Sequence, residues 1–258
     1  MPRSEVIFPL YIYPAESAWD PLYQAQANPS TKHFKRSIEQ NRGTNFTLVI
    51  NPASGPGVGS LPDANYTREL TRLNTQYQNV RCIGYVATTY GMKDIEIVEQ
   101  EIATYAGWGL RDPSLAVAGV FLDETPWQYS PGADQYFQRI RATVSSIDGL
   151  LGSFIVHNPG AIPDPRYSAS ADVTVVFEET YQTFIERRSA TALADVPGGR
   201  GERSIMIHSV PAGMSAKERK KLVQQLRSLA SHLFVTDLSV DYYSGISPHF
   251  GEFVSALD

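Results

Sequence analysis

The chain has 258 residues, of which 42% are hydrophobic and 19% charged, enough apolar material for a large core. Its net charge of −5 and pI near 5.6 give no basic field for nucleic acid, so no nucleic-acid partner is expected. The single cysteine, Cys82, excludes an intramolecular disulfide and a cysteine-built zinc site; in "VRCIGYV" it reads as a small buried hydrophobe.

In chain order, "VIFPLYIY" (6–13) predicts a first strand and "TKHFKRSIEQN" (31–41) a helix. "FTLVI" (46–50) predicts the second strand, and residues 63–77 a helix capped by Asp63. "VRCIGYV" (80–86) gives the third strand; in the helix predicted over 93–108, Ile95, Val98, Ile102 and Tyr105 share one face. "LAVAGVFL" (115–122) is the fourth strand, followed by a helix over 132–147. "LLGSFIV" (150–156) and "VTVVF" (173–177) are strands five and six, and the proline-bearing segment between them permits only a short helix. A sixth helix is predicted over 180–193, a seventh strand over 203–210, and a helix over 215–232 with Ser215 and Glu218 as a capping box. "LFVTDL" (233–238) is the eighth strand, and "PGGRG" (197–201) reads as a mobile loop.

Eight strand–helix alternations favour parallel strands with right-handed crossovers. The competing doubly wound sheet lacks its glycine-rich fingerprint after the first strand. The expected fold is therefore α/β, a single (β/α)8 TIM-type barrel over residues 1–258. No signal peptide, anchor or membrane segment is read from the sequence, and a monomer is expected.

The segments after the strands are rich in Pro, Gly, Asn, Tyr, His and acids: "NPASGPGVG", "TTYG", "DETPW", "HNPG", "EETY" and "DLSVDYYSG" among them. They converge on the carboxy-terminal rim, where barrels of this kind hold their sites. Within "GVFLDETP" (119–126) two carboxylates, Asp123 and Glu124, end the fourth strand; Glu178, with Glu179 behind it, ends the sixth. Alternation along a strand lets Asp123 and Glu124 share the mouth only if the strand stops between them. Carboxyl groups on non-adjacent rim strands have the arrangement glycoside hydrolysis needs, one group to protonate the leaving oxygen and another to attack or to activate water. A single acid at a strand end is more often a helix cap or a solvated residue.

Tyr11, Tyr13, Trp19, Tyr85, Tyr90 and Trp127 are candidates to stack on sugar rings, each equally readable as core. Asn51, Tyr85, Asn158 and His208 are candidate hydrogen-bonding groups for substrate. His157 and His208 both end strands, but no HxH or HExxH pair accompanies them, so hydrogen bonding is favoured over a metal site with Asp123. There is no G-x-S-x-G elbow and no Lys-Ser/Thr of a P-loop.

The motifs "PLYIYP", "VINPASGPG", "NYTREL", "GYVATTYG", "GVFLDE" and "VVFEETY", in that order, resemble spherulation-specific family four, the spherulin-like proteins. Its fungal members include glycoside hydrolases of family one hundred and thirty-five. The resemblance implies a (β/α)8 barrel and endo-acting cleavage of α-1,4-linked N-acetylgalactosamine in a galactosamine-containing exopolysaccharide. It carries the catalytic acids onto Asp123, Glu124 and Glu178, with Glu179 leaving a one-residue ambiguity. Glu124 is the favoured general acid, Asp123 attacks or orients the acetamido group, and Glu178 completes the set. No metal or cofactor is implied; the partner is a polysaccharide or oligosaccharide. Relatives are commonly secreted or membrane-anchored, whereas this sequence displays neither signal, which leaves the compartment open. The alternative is a non-catalytic carbohydrate-binding protein of sporulation or stress on the same barrel.

Overall fold

The computed structural model describes residues 3–23, 38–39, 41–187 and 189–257. Most of the helix predicted over 31–41 lies outside the described residues.

Eight parallel strands close into a barrel in sequence order. They are β1 (Glu5–Leu10), β2 (Phe46–Ile50), β3 (Val80–Ala87), β4 (Gly119–Asp123), β5 (Phe154–Asn158), β6 (Val173–Thr180), β7 (Arg203–His208) and β8 (His232–Val235). β2 is buried at all five positions, as expected of a strand covered by barrel interior on one side and helices on the other. The outer layer is α1 (Asp20–Tyr23), α2 (Ala64–Gln76), α3 (Ile95–Arg111), α4 (Pro131–Ser146), α5 (Tyr181–Glu186), α6 (Ser189–Ala194), α7 (Ala216–Leu229) and α8 (Phe250–Ser255). The capping side chains start these helices: Asp63 accepts from the backbone of Asn65 and Tyr66, and Ser130 precedes Pro131 at the first turn of α4. The capping box of Ser215 and Glu218 opens α7 as predicted. No helix among the described residues is long and apolar enough to cross a membrane.

Several boundaries move for local reasons. β4 begins only at Gly119, because Pro113–Leu115 forms a 3-10 turn and Gly119 has φ +152°. A Cβ at Gly119 would stand 1.9 Å from the Phe154 carbonyl oxygen, so only glycine brings β4 against β5 there. Gly84 has a parallel role, since a Cβ would meet the Tyr105 ring at 2.6 Å, and that ring's hydroxyl ties the Ile50 and Tyr85 carbonyls together. β1 ends at Leu10 rather than continuing to residue 13, and β8 ends at Val235. β5 runs from Phe154 to Asn158, later than predicted, so Asn158 belongs to the strand. The predicted sixth helix divides into α5 and α6. Between β5 and β6 a 3-10 turn, Pro165–Ser170, stands where other crossovers carry a helix.

The loop at 197–201, expected to be mobile, is tied down. Arg203 donates to the carbonyls of Leu193, Val196 and Gly198, and Arg200 to those of Arg227 and Arg3. Cys82 is buried, and burial pushes its thiol up to about 12, as suits a packing residue.

Candidate active site

The strand register brings the acids together. Tyr85 pairs with Phe121, and two residues on, Asp123 pairs with Asn158, so all four share one face of the sheet. Tyr85 and Phe121 stack at 6.3 Å, forming an aromatic floor beneath Asp123. Asp123 accepts three hydrogen bonds: from the Tyr85 hydroxyl to Oδ2 at 2.8 Å, from Asn158 Nδ2 to Oδ1 at 2.9 Å, and from the Glu124 backbone to Oδ1 at 3.0 Å.

Glu178 reaches the same mouth because β6 carries a bulge. Val175 pairs with Ser204, but Phe177 pairs with Ile205, so Val176 is an extra residue. The insertion reverses the alternation beyond it. Phe177 now faces outward onto Phe184 of α5, and Glu178 pairs with Met206 on the inner face. Without the bulge Phe177 would stand opposite Met206, and the acid on the inner face would be Glu179, opposite His208. Glu178 Oε2 accepts from Asn158 Nδ2 at 2.7 Å, and Oε1 from the Tyr243 hydroxyl at 2.6 Å. One amide nitrogen therefore bridges Asp123 and Glu178. Their bridged oxygens lie no further apart than the sum of the two distances, about 5.6 Å. Burial pushes the Glu178 carboxyl above its ordinary value, the neighbouring Asp123 and Glu179 charges add to the rise, and the hydrogen bonds from Tyr243 and Asn158 oppose it.

The adjacent acids of β4 separate at the strand end. The strand stops at Asp123, and Glu124 adopts φ +53°, the left-handed region. That conformation is held by Thr88, which is fully buried: its hydroxyl donates to the carbonyls of both Asp123 (3.0 Å) and Glu124 (2.9 Å). The Tyr90 backbone N–H adds a 2.6 Å bond to the Glu124 carbonyl. The Glu124 side chain is exposed.

The remaining candidates occupy different depths. Tyr11 lies edge-on between Tyr85 and Tyr243, at 5.4 Å from each ring. His208 stacks on Tyr242 at 3.9 Å with nearly parallel planes; burial lowers its proton affinity, and the Glu179 charge opposes this. Tyr90 and Trp127 present exposed rings on the loops after β3 and β4, 59% and 52% exposed. Asn51 Oδ1 accepts from the Gly55 backbone, so this side chain shapes its own loop. Trp19 is buried and donates to the Ile12 carbonyl, which makes it core rather than rim. His157 points out of the barrel onto Phe137 of α4, and burial lowers it to about 3, away from His208 on the inner face. Among the described residues no group of three or more His, Cys, Asp and Glu is placed to hold a metal ion.

Two participants escaped the reading of strand ends. Tyr243 lies in the loop beyond β8, and Thr88 in the loop beyond β3; the only signal for either was its place in a polar, tyrosine-rich rim segment. Seven non-glycine described residues have positive φ: Ser17, Ser54, Thr89, Tyr90, Glu124, Ser209 and Asp241. All seven fall in segments that follow strand carboxy-termini, so the strained backbone is concentrated on the rim around the acids.

Comparison with known proteins identifies the family of the chain. A family model described as spherulation-specific family 4 matches residues 5–257. Spherulin-4 of Physarum polycephalum is 32% identical over 175 residues, 68% of this chain but 45% of that protein, so the chain spans under half the relative's length. Among solved structures, Sph3 of Aspergillus clavatus in complex with GalNAc superposes with a TM-score of 0.91 at 44% identity, covering 99% of this chain and 98% of that one. A fungal endo-beta-N-acetylglucosaminidase of glycosyl hydrolase family 18 shares the fold alone, with a TM-score of 0.52 at 15% identity over 100% of this chain and 98% of that one. The protein is an eight-stranded parallel barrel, and it belongs to spherulation-specific family 4.

Proposed function

We propose that the protein is a retaining glycoside hydrolase that cleaves within chains of α-1,4-linked N-acetylgalactosamine. The observation that carries this reading is the amide of Asn158 held between Asp123 and Glu178. Retaining enzymes hold their two carboxyl groups ~5–5.5 Å apart, whereas inverting enzymes leave room for a water at ~6.5–9.5 Å. The limit of about 5.6 Å set by the shared nitrogen supports the first class.

Sequence alone favours Glu124 as general acid; the environment favours Glu178. Burial pushes Glu178 above its ordinary value, the direction that suits a proton donor. Asp123 accepts three hydrogen bonds and Oδ2 carries only one of them, which leaves that oxygen the freer for attack. In the first step Glu178 protonates the glycosidic oxygen while Asp123 attacks the anomeric carbon. The C1–O bond to the leaving chain breaks, and an ester bond to Asp123 forms on the opposite face. In the second step Glu178 takes a proton from water, the resulting hydroxide attacks C1, and Asp123 leaves as carboxylate. Two inversions retain configuration.

An α-linked substrate needs such a nucleophile. Its 2-acetamido group lies on the same side of the ring as the scissile bond and cannot attack from behind. Glu124, exposed beside the pair, is assigned to contacts with substrate hydroxyl or acetamido groups, and Tyr90 and Trp127 to flanking sugars. The GalNAc bound to the similar Sph3 supports this choice of sugar.

The test is incubation with a partly acetylated α-1,4-galactosamine polymer and mass analysis of released oligosaccharides. N-Acetylated oligomers of several lengths are expected from the wild type and not from Asp123→Asn or Glu178→Gln. Tight binding without release would replace this reading with a carbohydrate-binding protein.

A further inference from the structure

Tyr243 is eight residues beyond the last strand, yet it touches the centre of the site. Its hydroxyl donates to Glu178 Oε1 at 2.6 Å and lies 3.4 Å from Met206 Sδ. Its ring is wedged among three others, with centroids 5.4 Å from Tyr11, 4.5 Å from Tyr242 and 5.5 Å from Phe234. The backbone around it is pinned on both sides. The Tyr243 carbonyl accepts from the Tyr11 N–H at 3.1 Å, and the Ser209 N–H donates to the Leu238 carbonyl at 2.9 Å. The loop is closed at its outer end, where the Ser247 hydroxyl donates to Asp237. None of these contacts is needed to complete the barrel, which closes at Val235. They hold one phenol against one carboxyl.

We propose that Tyr243 is the positioning residue of Glu178, holding one carboxyl oxygen while Asn158 holds the other, so that the acid keeps a single orientation towards the bond it protonates. The inference rests on the assignment of Glu178 as acid–base catalyst. A neutral apolar ring would fill the same space without that effect, so the hydroxyl is the group to test.

The charged and titratable groups facing Glu178 are Asp123 from β4, Glu179 from β6, Tyr11 from the segment after β1, and Tyr242 and Tyr243 from the segment after β8. Among the described residues no lysine or arginine forms an ion pair with Glu178. Tyr243 and Asn158 are therefore the groups that favour its ionised form, against burial and two carboxylates. Removing the hydroxyl leaves those opposing influences in place, so the proton of Glu178 should be held more tightly.

The experiment compares wild type with Tyr243→Phe and with 3-fluorotyrosine incorporated at position 243, a stronger donor of nearly the same shape. Glu178 is titrated directly through its side-chain carboxyl carbon by NMR, and polymer cleavage is followed across pH. Tyr243→Phe should raise the Glu178 titration and move the basic limb of kcat/KM upward with it. The fluorinated side chain should move both downward. At the pH optimum Tyr243→Phe should lower kcat by about 10- to 100-fold, the scale of losing a hydrogen bond to a charged group, with KM changed by less than about 3-fold.

An unmoved Glu178 titration in both variants overturns the proposal whatever the activity does. A titration that moves in opposite directions in the two variants, in a wild type that cleaves no amino-sugar polymer, supports the positioning contact and overturns the hydrolase reading. If Tyr243→Phe does not fold, the fluorinated variant alone decides by the direction of its shift.

Discussion

At the amino-terminal end of the barrel, charges meet opposite charges. Glu5 lies against His232 at 3.5 Å and Arg81 at 3.7 Å, and the Arg81 guanidinium covers the Phe154 ring at 3.6 Å. Arg141 grips Asp172 through both oxygens just outside. At the carboxy-terminal end the carboxyls of Asp123 and Glu178 meet phenols and an amide instead. Partnered by His232 first of all, Glu5 falls to about 2, while burial without a cation drives Glu178 upward. The same carboxyl chemistry thus serves stability at one end and, in the proposed mechanism, proton transfer at the other. The difference lies in whether the barrel supplies a cation or only neutral donors.

The sharpest way to break this contrast is to neutralise the mouth. Asp123→Asn or Glu178→Gln should lower polymer turnover by at least about 1,000-fold, measured as reducing ends released, while thermal unfolding shifts little. Glu179→Gln should cost less than about 5-fold, because the bulge at Val176 turns its neighbour, and not Glu179, to the inner face. Equal losses for Glu178→Gln and Glu179→Gln would remove the basis for choosing between them.

Thr88 separates geometry from charge. Thr88→Val keeps the volume but leaves the carbonyls of Asp123 and Glu124 short of a donor, at a cost of about 1–3 kcal/mol in thermal or denaturant unfolding. Turnover should fall about 10-fold as Glu124 relaxes from its left-handed conformation, and Thr88→Ser should recover most of both losses.

The wild-type rate should decline as pH rises through the elevated Glu178 value, since the acid must be protonated for the first step. At the other end of the barrel the sign is opposite. Glu5 has a folded-state value lowered from 4.5 to about 2, so its stabilising effect is complete above 4.5 and is lost as pH falls towards 2. Glu5→Gln should remove that acid-side slope from a plot of Tm against pH. It should cost about 1 kcal/mol at neutral pH, a small figure because solvent screens a partly exposed pair, and leave turnover within about 2-fold.

How much of this was legible depends on what each feature rests on. The strand cores were legible because parallel barrel strands are apolar on both faces, as in "FTLVI". Asp123 and Asn158 were legible as polar residues at the ends of such runs. The choice between Glu178 and Glu179 was not, because the extra residue is an ordinary valine and no glycine or proline marks the bulge. The different placement of the Asp123 and Glu124 side chains was also hidden, since it depends on a left-handed backbone held by Thr88 from another loop. Tyr243 was out of reach for a similar reason: its loop is positioned by contacts with the segments after β1 and β7, which a linear reading does not join.

The central claim is that Asp123 and Glu178 work as a retaining pair, and the anomer released first tests it most directly. Proton NMR of a fresh digest of α-1,4-linked N-acetylgalactosamine oligomers, recorded before the reducing ends mutarotate, should show the α-anomer appearing first and the β-anomer growing in later. Immediate release of the β-anomer would mean a single inversion by water, and would contradict the account.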